Sequence, residues 1–416
     1  MKDWLEKHLK ELNLTTTMER PEGFCRLGYT EEEWKAIDVF VSIAEEIGLK
    51  VRRDEAGNAI ARWEPEEKGM ETSPAVAVGS HVDTVKGGGG YDGVAGVLCG
   101  LAAIKKLKEE GYLPASPIEV ICFASEESSR FGVSTIGSKA MSGLLNKKEV
   151  ADVPDESSIT IRQAVEKMGI SWKTIDQAER PETALKSFIE LHIEQGTRVE
   201  DAGAEFGAVT AVACPIRLKV IINGQMGHTG TTPMGNRKDA LVAASPLITF
   251  ISESAESLSS SSAVPIVATA STIELKPNAM NVIPGIVEIG VDIRSVDDSL
   301  KKEMERLIRQ KCSQLSSTFG VTMEVNTLVH NPSVQLDDKV RNKLQQSGES
   351  LGYKALVLES GAGHDVMNMA AKWPSGLLFI PCKNGLSHHP EEYASLEDLE
   401  MGSAIIAQYI KSEASI

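Results

Sequence analysis

The run Gly79-Ser80-His81-Val82-Asp83-Thr84-Val85 and, after Gly87 to Gly90, the triplet Tyr91-Asp92-Gly93 bring together one imidazole and two carboxylates. Histidine supplies a neutral nitrogen ligand for a metal. A carboxylate two residues on can hold the other ring nitrogen, and Asp92 has two oxygens to lend to one or two divalent ions. The glycines let the backbone fold tightly enough to return Asp92 beside His81. Alone, the pattern also describes a strand-end histidine bonded to a nearby aspartate. Its weight comes from recurrence: Glu126-Glu127, His192-Ile193-Glu194-Gln195 and His388 each follow another apolar run.

As one set, His81, Asp92, Glu127, His192 and His388 can serve two divalent ions bridged by Asp92. His81 and His192 would hold one ion, Glu127 and His388 the other, and Glu126 is left over. Buried donors would then leave no charge unpaired. A water shared between the ions becomes a hydroxide nucleophile near neutral pH, and Glu126 is placed to take its proton and pass it to a leaving nitrogen. The expected chemistry is metal-assisted hydrolysis of a carbonyl compound. Zinc, manganese, cobalt and nickel all suit such ligands.

Residues so distant in the chain need a scaffold that delivers them to one edge. Val76–Val78, 117–123, 187–193 and 376–381 read as buried strands, and Val94, Val97, Leu98, Leu101, Ile104 and Leu107 as one face of a strongly amphipathic helix ending at Gly111. Strand, helix and strand recur as βαβ units of a mostly parallel sheet, which places ligands at the carboxyl ends of its strands. Helices over 4–12 and 31–47, the latter capped by Thr30, precede a hairpin of 50–53 with 59–63. Residues 146–182 are polar and broken by prolines, with one or two helices and no evident chemistry. Helices over 340–351 and 395–410 close the chain. Between the first of these and the last strand, Ser360-Gly361-Ala362-Gly363-His364-Asp365 forms a glycine-rich loop before a helix, with amide donors for an anion or oxyanion.

The pattern changes near Gly207. Strands at 209–212, 217–222, 264–274, 287–294 and 321–328 and helices over 239–257 and 299–315 predict a split βαβ, ferredoxin-like α+β domain with an antiparallel sheet. The expected division is 1–208 with 330–416 for the first domain and 209–329 for the insert. Within the insert, His228 lies in a glycine-rich loop, Asn281 in a turn and Arg294 at a strand end; by themselves they read as loop, turn and surface residues.

A formal net charge of −16 disfavours nucleic acid, which wants a basic surface. The six cysteines are scattered without CxxC spacing, which points to a reducing compartment. The charged N-terminus lacks a signal peptide's apolar centre, and no eighteen apolar residues run together. The expectation is a cytoplasmic enzyme with no membrane partner.

The segments GSHVDTV, YDGVAG, SEESSRFG, LHIEQG, GHTGTTPM, NVIPG, DIR, SGAGHD and LSHHPEE, in this order over nearly the whole chain, resemble the M20-type metallohydrolases. The resemblance is to the branch of N-carbamoyl-L-amino acid amidohydrolases, β-ureidopropionases and allantoate amidohydrolases; LHIEQG separates it from peptidase-type relatives, which place an aspartate where His192 stands. It implies two metal ions on His81, Asp92, Glu127, His192 and His388, and Glu126 as general base. It also implies substrate contacts from Gln195, His228, Asn281, Arg294 and Gly363, with His364 in the loop facing the substrate. Arg294 would pair with the substrate carboxylate, and His228 and Asn281 would stabilise the oxyanion or that carboxylate. The insert would be a lid and dimerisation domain, giving a homodimer in which a neighbouring subunit completes the substrate contacts. The implied reaction is hydrolysis of a small ureido or N-acyl carboxylate. N-carbamoyl-L-amino acids come first and allantoate second; a deacylase or dipeptidase with the same centre, and a catalytically silent homologue binding small acids or metal, are the other readings. Lys86 to Gly90 depart from the branch's usual Pro-Asn-Gly-Gly, which puts the pocket floor and the substrate in question; Thr229 and Ser128 also depart, and none of these removes a ligand.

Overall fold

Ala75–His81, Ile118–Phe123, Leu185–Ile193 and Ser375–Ile380 carry almost unbroken apolar runs, as strands covered on both faces must. In the computed structural model, which describes residues 1–66, 69–70 and 72–415, these four form the parallel centre of a mixed sheet. Across the sheet the order is Lys50–Arg53, Ala59–Trp63, Ile118–Phe123, Ala75–His81, Leu185–Ile193, Ser375–Ile380 and Phe206–Val212, and Ala355–Ser360 pairs with the last of these. Ala59–Trp63 and Phe206–Val212 join antiparallel to their neighbours. Helices cover both faces. One layer, including Lys2–Leu12, Glu31–Glu46, Val94–Glu109, Asp338–Ser350 and Leu396–Ala414, packs in the main core; Ile136–Ser142 and Ile161–Lys167 pack in a smaller one around Phe131 and Ile175. Thr30 caps its helix as expected, and Ser395 caps the last with a capping box.

The chain divides into two units: residues 1–210, 336–358 and 364–416, and residues 211–335 with 359–363. In the second unit, Ile216–Asn223, Val267–Lys276, Ile286–Arg294 and Thr322–His330 form a four-stranded antiparallel sheet. Its order sets the fourth strand beside the first, then the third, then the second, the ferredoxin-like arrangement. Ile216, Leu218, Val220 and Ile222 alternate with outward residues and meet helices Ala240–Ser260 and Asp298–Phe319 in a separate core. Asp239 and Asp297 cap those helices, and Gly320 ends the second in the left-handed region at φ 64°.

Three expectations need correction. The strand expected at 209–212 as part of the insert's sheet is instead the end of Phe206–Val212, whose residues pair with Ser375–Ile380 in the large sheet; two short apolar runs on either side of a turn carry no mark of which sheet each joins. His81 ends its strand rather than following it. The helix Val94–Glu109 is buried over most of its circumference, not along one stripe. Its small residues Ala95, Gly96, Ala102 and Ala103 allow that close packing. None of the helices among the described residues is long and apolar enough to cross a membrane.

A Cβ on Gly96 would meet Leu191 O and the Ser80 side chain, so this helix lies directly on the strands that carry His81 and His192. Gly96→Val should therefore destabilise the first unit by about 1–3 kcal/mol, read as a lower urea midpoint; an unchanged midpoint would show that the contact is not tight.

Candidate metal centre

Four adjacent parallel strands deliver the chemistry to one edge of the sheet. Ile118–Phe123 leads into Glu126-Glu127, Ala75–His81 ends in His81, Leu185–Ile193 carries His192 and leads to Gln195, and Ser375–Ile380 is followed by the loop to His388. Asp92 returns through the glycine run. Donor atoms of His81, Asp92 and His192 all lie within 4.8 Å of one another, and so do those of Asp92, Glu127 and His388. All are buried except His388. Glu126 belongs to neither group, and its Oε2 is 3.8 Å from His81 Nε2.

The protons show whether cations fit here. His192 Nδ1 is 2.9 Å from the Ile193 carbonyl, which can only accept, so Nδ1 carries the ring proton. The Nε2 lone pair then faces Asp92 Oδ1 at 3.1 Å, with the Gly93 N–H as a long donor at 3.3 Å. His81 Nδ1 lies 3.1 Å from Asp83 O and 3.2 Å from Asp83 Oδ1, which turns its Nε2 toward the same Asp92 oxygen at 3.4 Å. Two lone pairs thus converge on one carboxylate oxygen. A cation between them satisfies all three, and the donor set fits divalent ions.

Electrostatics point the same way. Burial pushes Glu126 well above the usual carboxylate range, and Glu127, Asp365 and Asp83 add to it against the pull of His81. Burial also raises Glu127. Asp92 is held well below its ordinary value because His192, His388 and His81 outweigh its burial. His81 and His192 go up, the carboxylates around them overcoming burial. Hydrogen bonds to Asp92 and Glu127 push His388 up to about 10.

A ring of buried carboxylates holds the loops that carry these groups. Asp83 accepts the amides of Glu126 (3.1 Å) and Glu127 (2.9 Å). Glu392 Oε1 accepts those of Tyr91 and Asp92 at 2.9 Å each, and burial raises its carboxyl to about 7. Glu33 accepts the amides of Ser125 (2.6 Å) and Tyr29 (2.5 Å), and burial raises it to about 8. Glu190 accepts from Ser80 Oγ and the Val366 amide. The glycine run is explained by the same packing: a Cβ on Gly89 would run into Glu392, and one on Gly90 into Met18 and Asn13. Gly89 and Gly90 thus leave room for the side chains that pack beneath Asp92.

Of the other expected residues in this unit, Gln195 Nε2 donates to Asp92 Oδ2 at 2.7 Å and to Ser387 Oγ at 2.9 Å. His364 is buried with its ring centroid 4.5 Å from that of His192, and burial together with His192 lowers its pKa well below the ordinary value. Gly363 falls in the second unit, with His228, Asn281 and Arg294. There His228 pairs with Val282 in a small two-stranded ladder, so it sits in a short strand and not in an open loop, and Asn281 O accepts from the Thr229 amide at 3.3 Å. Arg294 Nε donates to Asp292 Oδ1 at 2.7 Å and Nη1 to Gly361 O at 3.1 Å. Sequence reasoning missed Glu33, Glu190 and Ser387. Glu190 shares a strand face with His192 two residues on, a signal that period-2 alternation could have given; Glu33 looked like an ordinary first-turn acid.

A mixed α/β sheet with these candidate donor groups at its edge points to the metal-dependent hydrolases. The chain belongs to peptidase family M20/M25/M40, whose pattern matches residues 66–412, and enzymes of this family are dinuclear metallohydrolases. It is 37% identical to an uncharacterized hydrolase of Haemophilus influenzae, covering 95% of each chain. It is 34% identical to an N-carbamoyl-L-amino-acid amidohydrolase of Paenarthrobacter aurescens, covering 98% of this chain and 97% of that one. It is also 34% identical to a ureidoglycolate hydrolase of Oryza sativa, covering 97% and 83%. A solved hydantoinase/carbamoylase family amidase from Burkholderia multivorans superposes with a TM-score of 0.87 at 29% identity, over 100% of this chain and 98% of that one. The protein is therefore an amidohydrolase of the carbamoylase and allantoate branch, acting on C–N bonds other than peptide bonds.

Because Asp83 holds His81 and both glutamate amides, Asp83→Ala should weaken binding of divalent ions about 10- to 100-fold. Competition titration with a chelator reads this directly; unchanged affinity would deny Asp83 that role.

Proposed function

We propose that the protein hydrolyses N-carbamoyl-L-amino acids to the free amino acid, CO2 and ammonia, with uptake of water. The observation that carries the reading is the placement of Glu126, outside both donor groups yet 3.8 Å from His81 Nε2. A carboxylate beside a ligand set and free of it suits a general base. Divalent ions held by His81, Asp92 and His192, and by Asp92, Glu127 and His388, would supply a lowered pKa for a shared water and polarisation of the scissile carbonyl. Glu126 takes the proton of the attacking water and delivers it to the leaving nitrogen. The carbamate that remains loses CO2.

Substrate contacts are assigned to Gln195 and His364 in the first unit and, in the second, to Gly363, His228, Asn281 and Arg294. The Arg294 plane is held by Asp292 and Gly361, which leaves N–H donors of Nη1 and Nη2 for a substrate carboxylate. His228 and Asn281 donate to the developing oxyanion. The ureido carboxylate is the substrate class common to N-carbamoyl amino acids, ureidoglycolate and allantoate. We also infer a cytoplasmic homodimer joined through the second unit. Support comes from six free cysteines and from the strand Val267–Lys276, which lies at the edge of its sheet and exposes Val267 and Ile273.

Ammonia release from a panel of N-carbamoyl-L-amino acids, allantoate, ureidoglycolate and N-acetyl amino acids, on chelated and metal-reloaded protein, tests the assignment; preference for an N-acetyl substrate would overturn it. Glu126→Gln should lower kcat about 100- to 10,000-fold with metal content intact, and full turnover would exclude it as base. Arg294→Lys should raise KM for carboxylate substrates with a smaller effect on kcat. Mixing Glu126→Gln with His228→Asn protein should regain activity if two subunits share each site; no recovery in a verified mixed dimer would contradict that sharing.

A further inference from the structure

His228 ends the short strand Gly227–His228, and its side chain is exposed. Its Nδ1 accepts a hydrogen bond from the Gly230 N–H at 3.0 Å. A ring nitrogen that accepts carries no proton, so the neutral imidazole is the Nε2–H tautomer and presents a donor outward. The Gly230 N–H belongs to the Thr229–Gly230 peptide, and the carbonyl of that same peptide accepts from Arg237 Nη2 at 2.6 Å. In a trans peptide C=O and N–H point in opposite directions. The guanidinium that holds the oxygen therefore aims the hydrogen at His228. Arg237 also donates to Thr232 O from Nη2 (3.0 Å) and Nε (3.1 Å), while the Thr232 amide returns to His228 O at 3.1 Å.

We propose that Arg237 is a positioning residue for His228, fixing the Nε2–H tautomer by fixing the Thr229–Gly230 peptide. The proposal rests on the reading of His228 as an oxyanion donor. Were the peptide to turn over, Thr229 O would face Nδ1, the proton would move there, and Nε2 would turn a lone pair toward the developing negative charge. Gly230 offers little resistance to such a turn, having no Cβ. A Cβ there would sit 3.3 Å from His228 Cε1, so the close approach itself favours glycine. Without a clamp on the carbonyl, the loop's two peptide orientations compete.

The test uses full-length zinc-loaded protein with 15N-labelled histidine rings, the His228 signals being those lost in His228→Asn. Wild type should show an unprotonated Nδ1 and a protonated Nε2. Arg237→Gln should give a mixed or reversed pattern and a kcat lower by about 10- to 100-fold, with KM little changed and the thermal midpoint retained. Arg237→Lys, able to reach one carbonyl, should recover part of both. In a His228→Asn background Arg237→Gln should cost nothing further. An unaltered His228 pattern in Arg237→Gln, or an equal loss of kcat in both backgrounds, overturns the proposal. Full kcat in His228→Asn alone would instead remove the oxyanion reading, and the ring nitrogens would still decide what Arg237 does to the tautomer.

Discussion

The constraint on which this molecule turns is an excess of buried carboxyl groups at the carboxyl edge of the parallel strands. Asp83, Asp92, Glu126, Glu127, Glu190, Asp365 and Glu392 are all nearly sealed from water, as is Glu33. Several of them act alike, in that their oxygens accept backbone N–H groups of the loops that carry the candidate ligands. When ionised, these groups make strong, short bonds to amides and order the loops, but each then adds charge where charge is expensive, which is why burial raises Glu33 to about 8 and Glu392 to about 7. The imidazoles of His81 and His192 turn lone pairs toward the same region. Loop order and cation binding are therefore linked: what neutralises the edge also stabilises the loops around it.

That linkage accounts for backbone strain that would otherwise have no purpose. Ser125, Gln195 and His388 adopt positive φ values of 52°, 59° and 56° without being glycine. Each follows one of the parallel strands in the chain, Ser125 directly before Glu126, and Gln195 and His388 being expected site residues themselves. Such conformations cost about 1–3 kcal/mol each and persist where surrounding contacts over-determine them. Glu33 holds the Ser125 amide, Gln195 is tied to Asp92 and Ser387, and the His388 amide bonds Glu392 Oε2 at 3.3 Å. The strain is local and its restraints are the buried acids.

How much of this the sequence displayed follows from the range of each interaction. His81, Glu126, His192 and His388 could be grouped because a parallel sheet sends every strand's carboxyl end to one side, so four motifs at four strand ends imply one site without any knowledge of strand order. The ferredoxin-like unit was legible because alternation in Ile216–Asn223 and Ile286–Arg294 is unambiguous. The strand Phe206–Val212 was not, since its apolar run suits either sheet and only the long-range pairing with Ser375–Ile380 decides. Glu33 was invisible for a related reason: a third glutamate in a helix's first turn has a sufficient local explanation, and nothing within the helix announces that Ser125, far along the chain, will lie over it.

Substrate choice is the hardest step to read, and the physics says why. A guanidinium held by Asp292 and Gly361 would, in the proposed role, recognise a carboxylate, and every candidate in the ureido class has one. A metal-assisted attack on a ureido carbonyl is equally shared. In the glycine run, Gly89 lies against Glu392 and Gly90 against Met18 and Asn13, so this turn serves packing beneath Asp92 and carries no side chain to select a substrate. Discrimination must then come from side chains that meet the part of the substrate differing between candidates. Those contacts involve shape and small differences of reach, which motif spacing does not encode. The reaction is written in residues that must bind charge, whereas the choice of substrate rests on residues that only need to fit.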